Sequence, residues 1–172
     1  MVFLQPRYML PPVTKKSSMV KIRKAKESDY PDIFSTMKEN MYQLQSELGL
    51  EWSNDKLQNH YRKKNNLVIV VNGAFAGFVS YDFDEKGAFI HSLQIIKERQ
   101  NLFLGYNLFS EIVQETISKK LSLICCCVFE NNKAKEMYLR IGFKEIDREK
   151  GILKLQLDLN QSGNKVINKL RT

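Results

Sequence analysis

The run "NLVIVVNGAFAGFVSYDFDEKGAFIHSLQII", residues 66 to 96, constrains the fold more than any other stretch of the chain. It reads as three strand-length apolar segments, cut at Asn72-Gly73 and at Asp84 to Gly87, both of them hairpin signals. Segments joined by turns this short pair antiparallel with their neighbours, so a three-stranded meander must occupy the middle of the chain. A meander this apolar needs cover from other elements, and the flanking sequence supplies it in a helical period.

Upstream, "MVKIRKA" from Met19 is a strand pattern. The segment "ESDYPDIFSTMKENMYQLQSELG" then predicts a helix capped by Ser28, with Pro31 in its first turn and a glycine at its end. A second helix is expected in "SNDKLQNHYRKKN", with Ser53 as its cap. Downstream, a helix is expected from about Leu104 to Lys119, then a strand in "LSLICCCVF", a helix in "NNKAKEMYLRIG" and two strands, "FKEIDR" and "GILKLQLDL". The order β-α-α-β-β-β-α-β-α-β-β puts the chain in the α/β (α+β) class, with about seven strands and about four helices. Its 172 residues suit one ordinary domain, expected from Met19 to Leu159, with an arm at residues 1–18 and a tail at residues 160–172. Neither repeats nor low-complexity runs interrupt the body.

The formal charge of +8 invites a nucleic-acid reading, but its placement weakens it. Arg7, Lys15 and Lys16 in the arm and Lys165, Lys169 and Arg171 in the tail account for six of those charges. The body is left near neutrality, so nucleic acid is not an expected partner. No apolar run reaches the ~18 residues of a membrane span, and the first segment lacks the features of a secretory signal. Cys125, Cys126 and Cys127 are consecutive, so on a strand they point to alternating faces and cannot converge on one metal. They are expected to fill a buried strand as reduced thiols, consistent with a cytoplasmic setting.

Two constellations carry candidate chemistry. In "SLQIIKERQNLFLGYNLFSEIV", a strand leads through a short segment containing Gly105 into a helix. Such a junction gathers free N–H groups at the positive end of a helix dipole and can hold a phosphate; on its own it can equally be a turn. Further on, Asn131, Ala134, Tyr138, Gly142 and Phe143 follow an N-x-x-A-x-x-x-Y-x-x-x-G-F spacing. Positions 131, 134, 138 and 142 share one helix face, and Gly142 stops the helix. Read by themselves, Asn131 could be a helix cap and Tyr138 a core aromatic with a wet hydroxyl.

Taken together, these segments resemble the GNAT superfamily of acetyl-CoA-dependent N-acetyltransferases. The family's acyl-CoA loop reads Q/R-x-x-G-x-G/A, matched here at Gln100 and Gly105, and its later segment resembles Asn131 to Phe143. The resemblance runs over nearly the whole body and implies a mixed, mostly antiparallel sheet. It implies an enzyme that moves an acetyl group from acetyl-CoA to a primary amine by direct attack in a ternary complex, with no metal. The N–H groups from Asn101 through Leu102, Phe103, Leu104 and Gly105 to Tyr106 would hold the CoA pyrophosphate, with Gln100 and Gly105 shaping the turn. The main chain of Leu93, Gln94 and Ile95 would pair with the pantetheine arm, Asn131 would bond that arm from the other side, and Tyr138 would protonate the departing thiolate. A homodimer stays open.

A general base is harder to read. His91 is placed by strand alternation on the face of Phe89, Leu93 and Ile95, where it could take a proton from the acceptor or simply be packed. His60 reads as a solvated position or part of the acceptor-side rim. The chain departs from the family at Phe103, where the first loop glycine usually stands. If that position needs a positive φ, a phenylalanine there costs free energy or tilts the loop. Two other functions are therefore carried beside the enzyme: an acyl-CoA-binding module without turnover, and a nucleic-acid or ribosome-associated protein that uses its basic ends.

Overall fold

The computed structural model describes residues 18–100 and 102–161. The proposed arm and tail fall almost entirely outside the described residues, as does Asn101. The elements are β1 (Val20–Lys24), α1 (Tyr30–Glu47), α2 (Asn54–Arg62), β2 (Asn65–Val71), β3 (Ala74–Phe83), β4 (Gly87–Ile95), α3 (Leu102–Ser118), β5 (Leu123–Phe129), α4 (Ala134–Ile141), β6 (Lys144–Glu149) and β7 (Ile152–Asp158). The strands form one seven-stranded sheet in the order β1-β2-β3-β4-β5-β7-β6. All neighbours are antiparallel except β4 and β5.

The expected meander is β2-β3-β4. Asn72 and Gly73 both take positive φ, 52° and 83°, which lets two residues turn β2 into β3 with a twist that matches the strands. At the other hairpin, Asp84 Oδ1 accepts from the N–H groups of Lys86 and Gly87 at 2.7 and 2.9 Å. The parallel β4-β5 pair needs a crossover, and α3 supplies it.

Helices lie on both faces. On one, Tyr30, Ile33 and Met37 of α1 cover Val68 and Phe78, with Leu57 and Tyr61 of α2 packed beside them. On the other, Leu108, Phe109 and Ile112 of α3 and Tyr138 and Ile141 of α4 enclose the larger core with Val79, Ile90, Ile124, Leu155 and Leu157. Each such fully buried side chain contributes roughly 2 kcal/mol of transfer free energy, so the α3/α4 face carries the larger apolar share.

Two expectations need correction here. Ser28 does not cap α1; a 3-10 turn at Glu27–Asp29 precedes the helix, and Asp29 organises the entry. Its carboxylate takes both guanidinium nitrogens of Arg23, at 2.6 and 2.9 Å, and the Lys26 N–H at 2.6 Å. A bidentate charged pair outcompetes a serine hydroxyl for this corner. The cysteines do not all fill a buried strand: Cys126 is buried under α3 and α4, but Cys127 is exposed. The core under α1 and α2 is built on β2 and β3.

The Arg23 guanidinium holds the Asp29 carboxyl below its usual value, more than offsetting the opposing effect of burial. A depressed folded-state value means that this stabilisation is present above about pH 4 and is lost as pH falls through the lower folded value. Asp29→Ala is expected to cost about 2 kcal/mol at pH 7, lowering Tm by roughly 6 °C. The difference from wild type should shrink in acid, as followed by thermal circular dichroism between pH 7 and pH 2.

Candidate active site

The parallel β4-β5 pairing is short. It runs from Gly87 opposite Leu123 to Ile90 opposite Cys126, and stops. Beyond that point β4 continues against β3 as far as Ile95, and β5 continues against β7 as far as Phe129. The two strands therefore separate in mid-sheet. Ile96 N–H donates to Ala76 O of the β3 edge, and main-chain groups alternate sides along a strand. Those of Leu93 and Ile95 are consequently directed away from β3, into the opening.

A cavity of about 880 Å³ fills this opening. Its lining includes Leu93, Gln94, Ile95, Gln100, Gly105, Asn131 and Tyr138, so most of the expected site residues meet in one place. Leu104 is buried in the core and Tyr106 packs against it, while Phe103 is 63% exposed. None of these three side chains faces the cavity.

The segment from Leu102 to Tyr106 is helix, not loop: α3 starts at Leu102. Of the N–H groups expected to act from a loop, those of Leu102 and Phe103 belong to the helix's own first turn, where intrahelical acceptors are lacking, whereas those of Gly105 and Tyr106 lie past that turn. Phe103 lies in this turn, and the positive-φ residues other than glycine are Asn72, Lys120 and Lys150. The strain expected at Phe103 therefore does not arise. Gly105 faces β4 and α4, where an added Cβ would stand 3.8 Å from both Leu93 Cδ2 and Met137 Sδ. One methyl group fits there and nothing longer does without narrowing the cavity.

An amide network not legible in the sequence lines the cavity wall. Asn40 Nδ2 of α1 donates to Ile95 O at 3.0 Å and to Gln94 Oε1 at 3.1 Å. Gln100 Nε2 donates to the same carbonyl and to Asn40 Oδ1, each at 3.2 Å. Asn40 stands more than fifty positions from its partners on a helix face that reads as solvated, so no local pattern singles it out. On the opposite wall, Asn131 Nδ2 donates to Glu47 Oε2 at 2.9 Å and to Leu44 O at 3.3 Å. The neighbouring Asn132 holds the entry to α4, its Oδ1 accepting from Ala134 N–H at 2.9 Å.

Tyr138 is buried, its ring edge-on to Phe143. Burial raises its phenol well above the usual value, with a smaller contribution from Cys126, so the hydroxyl keeps its proton at any physiological pH. No hydrogen bond joins that hydroxyl to the described residues, although Tyr138 borders the cavity.

His91 lies elsewhere than strict alternation puts it. Ser80 pairs with Ser92 and Tyr81 with Ile90, leaving His91 as the extra residue of a β-bulge. A bulge places two consecutive side chains on one face. His91 shares its face with Phe89, as expected, but Leu93 and Ile95 turn to the α3 side. It stands just past the last β4-β5 pair, with its ring 5.1 Å from that of His60 and 4.9 Å from that of Phe89. His91 Nε2 is 3.1 Å from Asp82 Oδ2, and Lys64 Nζ donates to the same carboxylate. Burial holds the His91 imidazole below its usual value, Lys64 adds to this, and Asp82 opposes it.

Comparisons with known proteins agree with this architecture. The family model described as FR47-like protein matches residues 72–151. The ribosomal protein bS18-alanine N-acetyltransferase of Haemophilus influenzae is 25% identical over 114 residues, which is 65% of this chain and 78% of that protein. Among solved structures, the paia N-acetyltransferase of Thermoplasma acidophilum, in complex with coenzyme A, superposes with a TM-score of 0.68 at 17% identity. The match covers 81% of this chain and 99% of that one. The ribosomal-protein-S18-alanine N-acetyltransferase of Escherichia coli gives a TM-score of 0.66 at 17% identity, covering 81% and 94%.

Because the Tyr138 hydroxyl bonds to no described residue, Tyr138→Phe removes no internal hydrogen bond. Its Tm is expected to lie within about 2 °C of wild type in a thermal melt without ligand. A fall of 5 °C or more would assign the hydroxyl a structural partner instead.

Proposed function

We propose that the chain is an acetyltransferase of the GNAT type, which moves an acetyl group from acetyl-CoA to a primary amine by direct attack in a ternary complex. The observation that carries this reading is the opening beyond Ile90 and Cys126, where unpaired main chain, a helix N-terminus and a buried phenol border the same cavity. Acetyl-CoA supplies an activated thioester when bound. The first-turn N–H groups of α3, including that of Phe103, suit a pyrophosphate. Leu93 and Ile95 offer main-chain groups to an extended arm, in the manner of an added half-strand. For Ile95 and Asn131 to take part, Asn40, Gln100 and Glu47 must give up the contacts they now make.

Three protein groups then have work to do. A main-chain N–H at the β4 bulge is suitably placed to receive developing negative charge on the acetyl oxygen. Tyr138 Oη gives its proton to the departing sulfur, for which a phenol that stays protonated is suited. His91, kept neutral by burial, takes a proton from the acceptor ammonium and so frees the nitrogen pair that forms the N–C bond. The reading of an acyl-CoA-binding module rested on strain at Phe103, and the helical setting of that residue removes its support. Three unpaired cysteines and the need for acetyl-CoA favour the cytoplasm as the setting.

The deciding experiment is thiol release from acetyl-CoA against a panel of polyamines, aminoglycosides, amino acids and short peptides. Relatives named for the alanine of a ribosomal protein make a peptide beginning with alanine one member of that panel. With a responsive amine, Tyr138→Phe is expected to lower kcat by about 100-fold while CoA binding, measured by calorimetry, stays within twofold. Unchanged turnover would take the acid role from Tyr138. Gly105→Glu puts length and negative charge between Leu93 and Met137 and is expected to abolish CoA binding at millimolar ligand, with an unchanged circular dichroism spectrum. Wild-type affinity in that variant would move the ligand out of this cavity.

A further inference from the structure

On the α1/α2 face of the sheet, a cluster of charged and aromatic side chains surrounds His91 and is unaccounted for by the residues bordering the cavity. Asp82 reaches it from β3, Lys64 from the segment between α2 and β2, and His60 and Tyr61 from α2, while Phe89 flanks it on its own strand. Asp82 is the strand partner of Phe89, not of His91. Alternation from Phe89 puts His91 on the Asp82 face, and the bulge between the pairs at Ile90 and Ser92 then turns Leu93 and Ile95 to the other side.

We propose that Asp82 and Lys64 are the positioning pair for His91: Asp82 holds the imidazole as the tautomer protonated on Nε2, which leaves the Nδ1 lone pair to take the acceptor's proton. This rests on the acetyltransferase reading above. A carboxylate has no proton to give, so a contact of 3.1 Å between Asp82 Oδ2 and Nε2 requires Nε2–H to be the donor. Asp82 is held ionised: hydrogen bonds from Lys64 and His91 bring its carboxyl below the usual value, against the opposing effect of burial. Lys64 has a second effect. By sharing the Oδ2 atom it offsets the charge that would otherwise draw a second proton onto the ring, so the imidazole is oriented by a carboxylate without being ionised by it. Removal of either partner should therefore move the ring's basicity, and in opposite directions.

The step balances as follows. The acceptor ammonium passes one proton to Nδ1, giving an imidazolium that Asp82 stabilises. The freed nitrogen pair forms the N–C bond, the C–S bond breaks onto sulfur, sulfur receives the Tyr138 proton, and the acylated nitrogen sheds its second proton to water. Tyrosinate and imidazolium return to their starting states through water. Asp82 and Lys64 exchange no proton in this sequence and touch neither substrate.

Two measurements test the proposal. The first reads the ring without any need for turnover: long-range proton–nitrogen correlation spectra of protein labelled at histidine, with His60→Gln used to assign His91. The Nε2–H tautomer in the wild type, lost to a mixture in Asp82→Ala, is expected. An Nδ1–H ring, or a wild-type mixture, overturns the proposal. The second is the pH profile of kcat/KM for a responsive amine. Asp82→Ala should lower kcat at least about tenfold with KM for acetyl-CoA unchanged, and shift the acidic limb to lower pH, because the carboxylate favours the protonated ring. Lys64→Met should shift that limb to higher pH, because the ammonium disfavours it. Shifts in the same direction, or none in either variant, overturn the proposal; a merely structural pair would lower activity without moving the limb in opposite senses. Thermal melts of both variants confirm that folded protein is compared. If no amine releases thiol while the spectra show the Nε2–H ring, it is the acetyltransferase reading that fails.

Discussion

The early end of the parallel ladder between β4 and β5 is the constraint on which the rest of this structure depends. Strands paired along their full length would bury the main chain of Leu93 and Ile95 in sheet hydrogen bonds and leave no opening. The ladder is held tight at its start, where a Cβ on Gly87 would run into the Leu123 carbonyl, and it is released four pairs later. Each strand then follows its other neighbour, β3 or β7, with the ordinary sheet twist separating the two antiparallel blocks. A main-chain polar group withdrawn from water is costly unless something answers it. Asn40 and Gln100 answer the Ile95 carbonyl in this structure, and a ligand that pairs with the strand must take their place.

The opening also separates two kinds of surroundings. On the α3/α4 side, Tyr138 is enclosed by apolar residues and its hydroxyl remains protonated. On the α1/α2 side, His91 is set among Asp82, Lys64 and His60, where charges of both signs compete over the ring. A proton donor and a proton acceptor thus lie on opposite faces of one sheet, with their affinities pushed apart chiefly by burial acting on groups of opposite type. Burial favours the neutral form of each: the phenol that can donate and the imidazole that can accept. The bulge at His91 matters for the same reason, since it leaves the ring on the Asp82 side while Leu93 and Ile95 turn to the α3 side.

Local sequence determined the element order. The hairpin turns at Asn72-Gly73 and Asp84 to Gly87, the Ser53 cap of α2 and the Gly142 stop of α4 are all set by residues within a few positions of one another. Backbone preference and periodicity act at that range, so such features can be read from the chain alone. The same holds for the segment from Asn131 to Phe143, where Asn131 in the turn before α4 and Ala134 and Tyr138 on one face of it come to border the cavity. Ser28 shows the limit: the helix entry was decided by Arg23 of β1 reaching Asp29, a contact made only when strand and helix pack.

What tertiary structure alone decided is where strands stop pairing and which distant side chains meet. No pattern in residues 87 to 95 announces that β5 will leave β4 after Ile90, because that depends on β7 competing for the other edge of β5. The bulge that turns Leu93 away from the side of His91 and Asp82 is likewise a property of the β3-β4 register. Asn40 meets Ile95, and Lys64 meets Asp82, across sequence separations at which no propensity acts. The sequence by itself determined the elements, their order and the residues able to do the chemistry, because those follow from short-range backbone and side-chain preferences. Their assembly around one opening was decided by long-range pairing, which exists only once the sheet has formed.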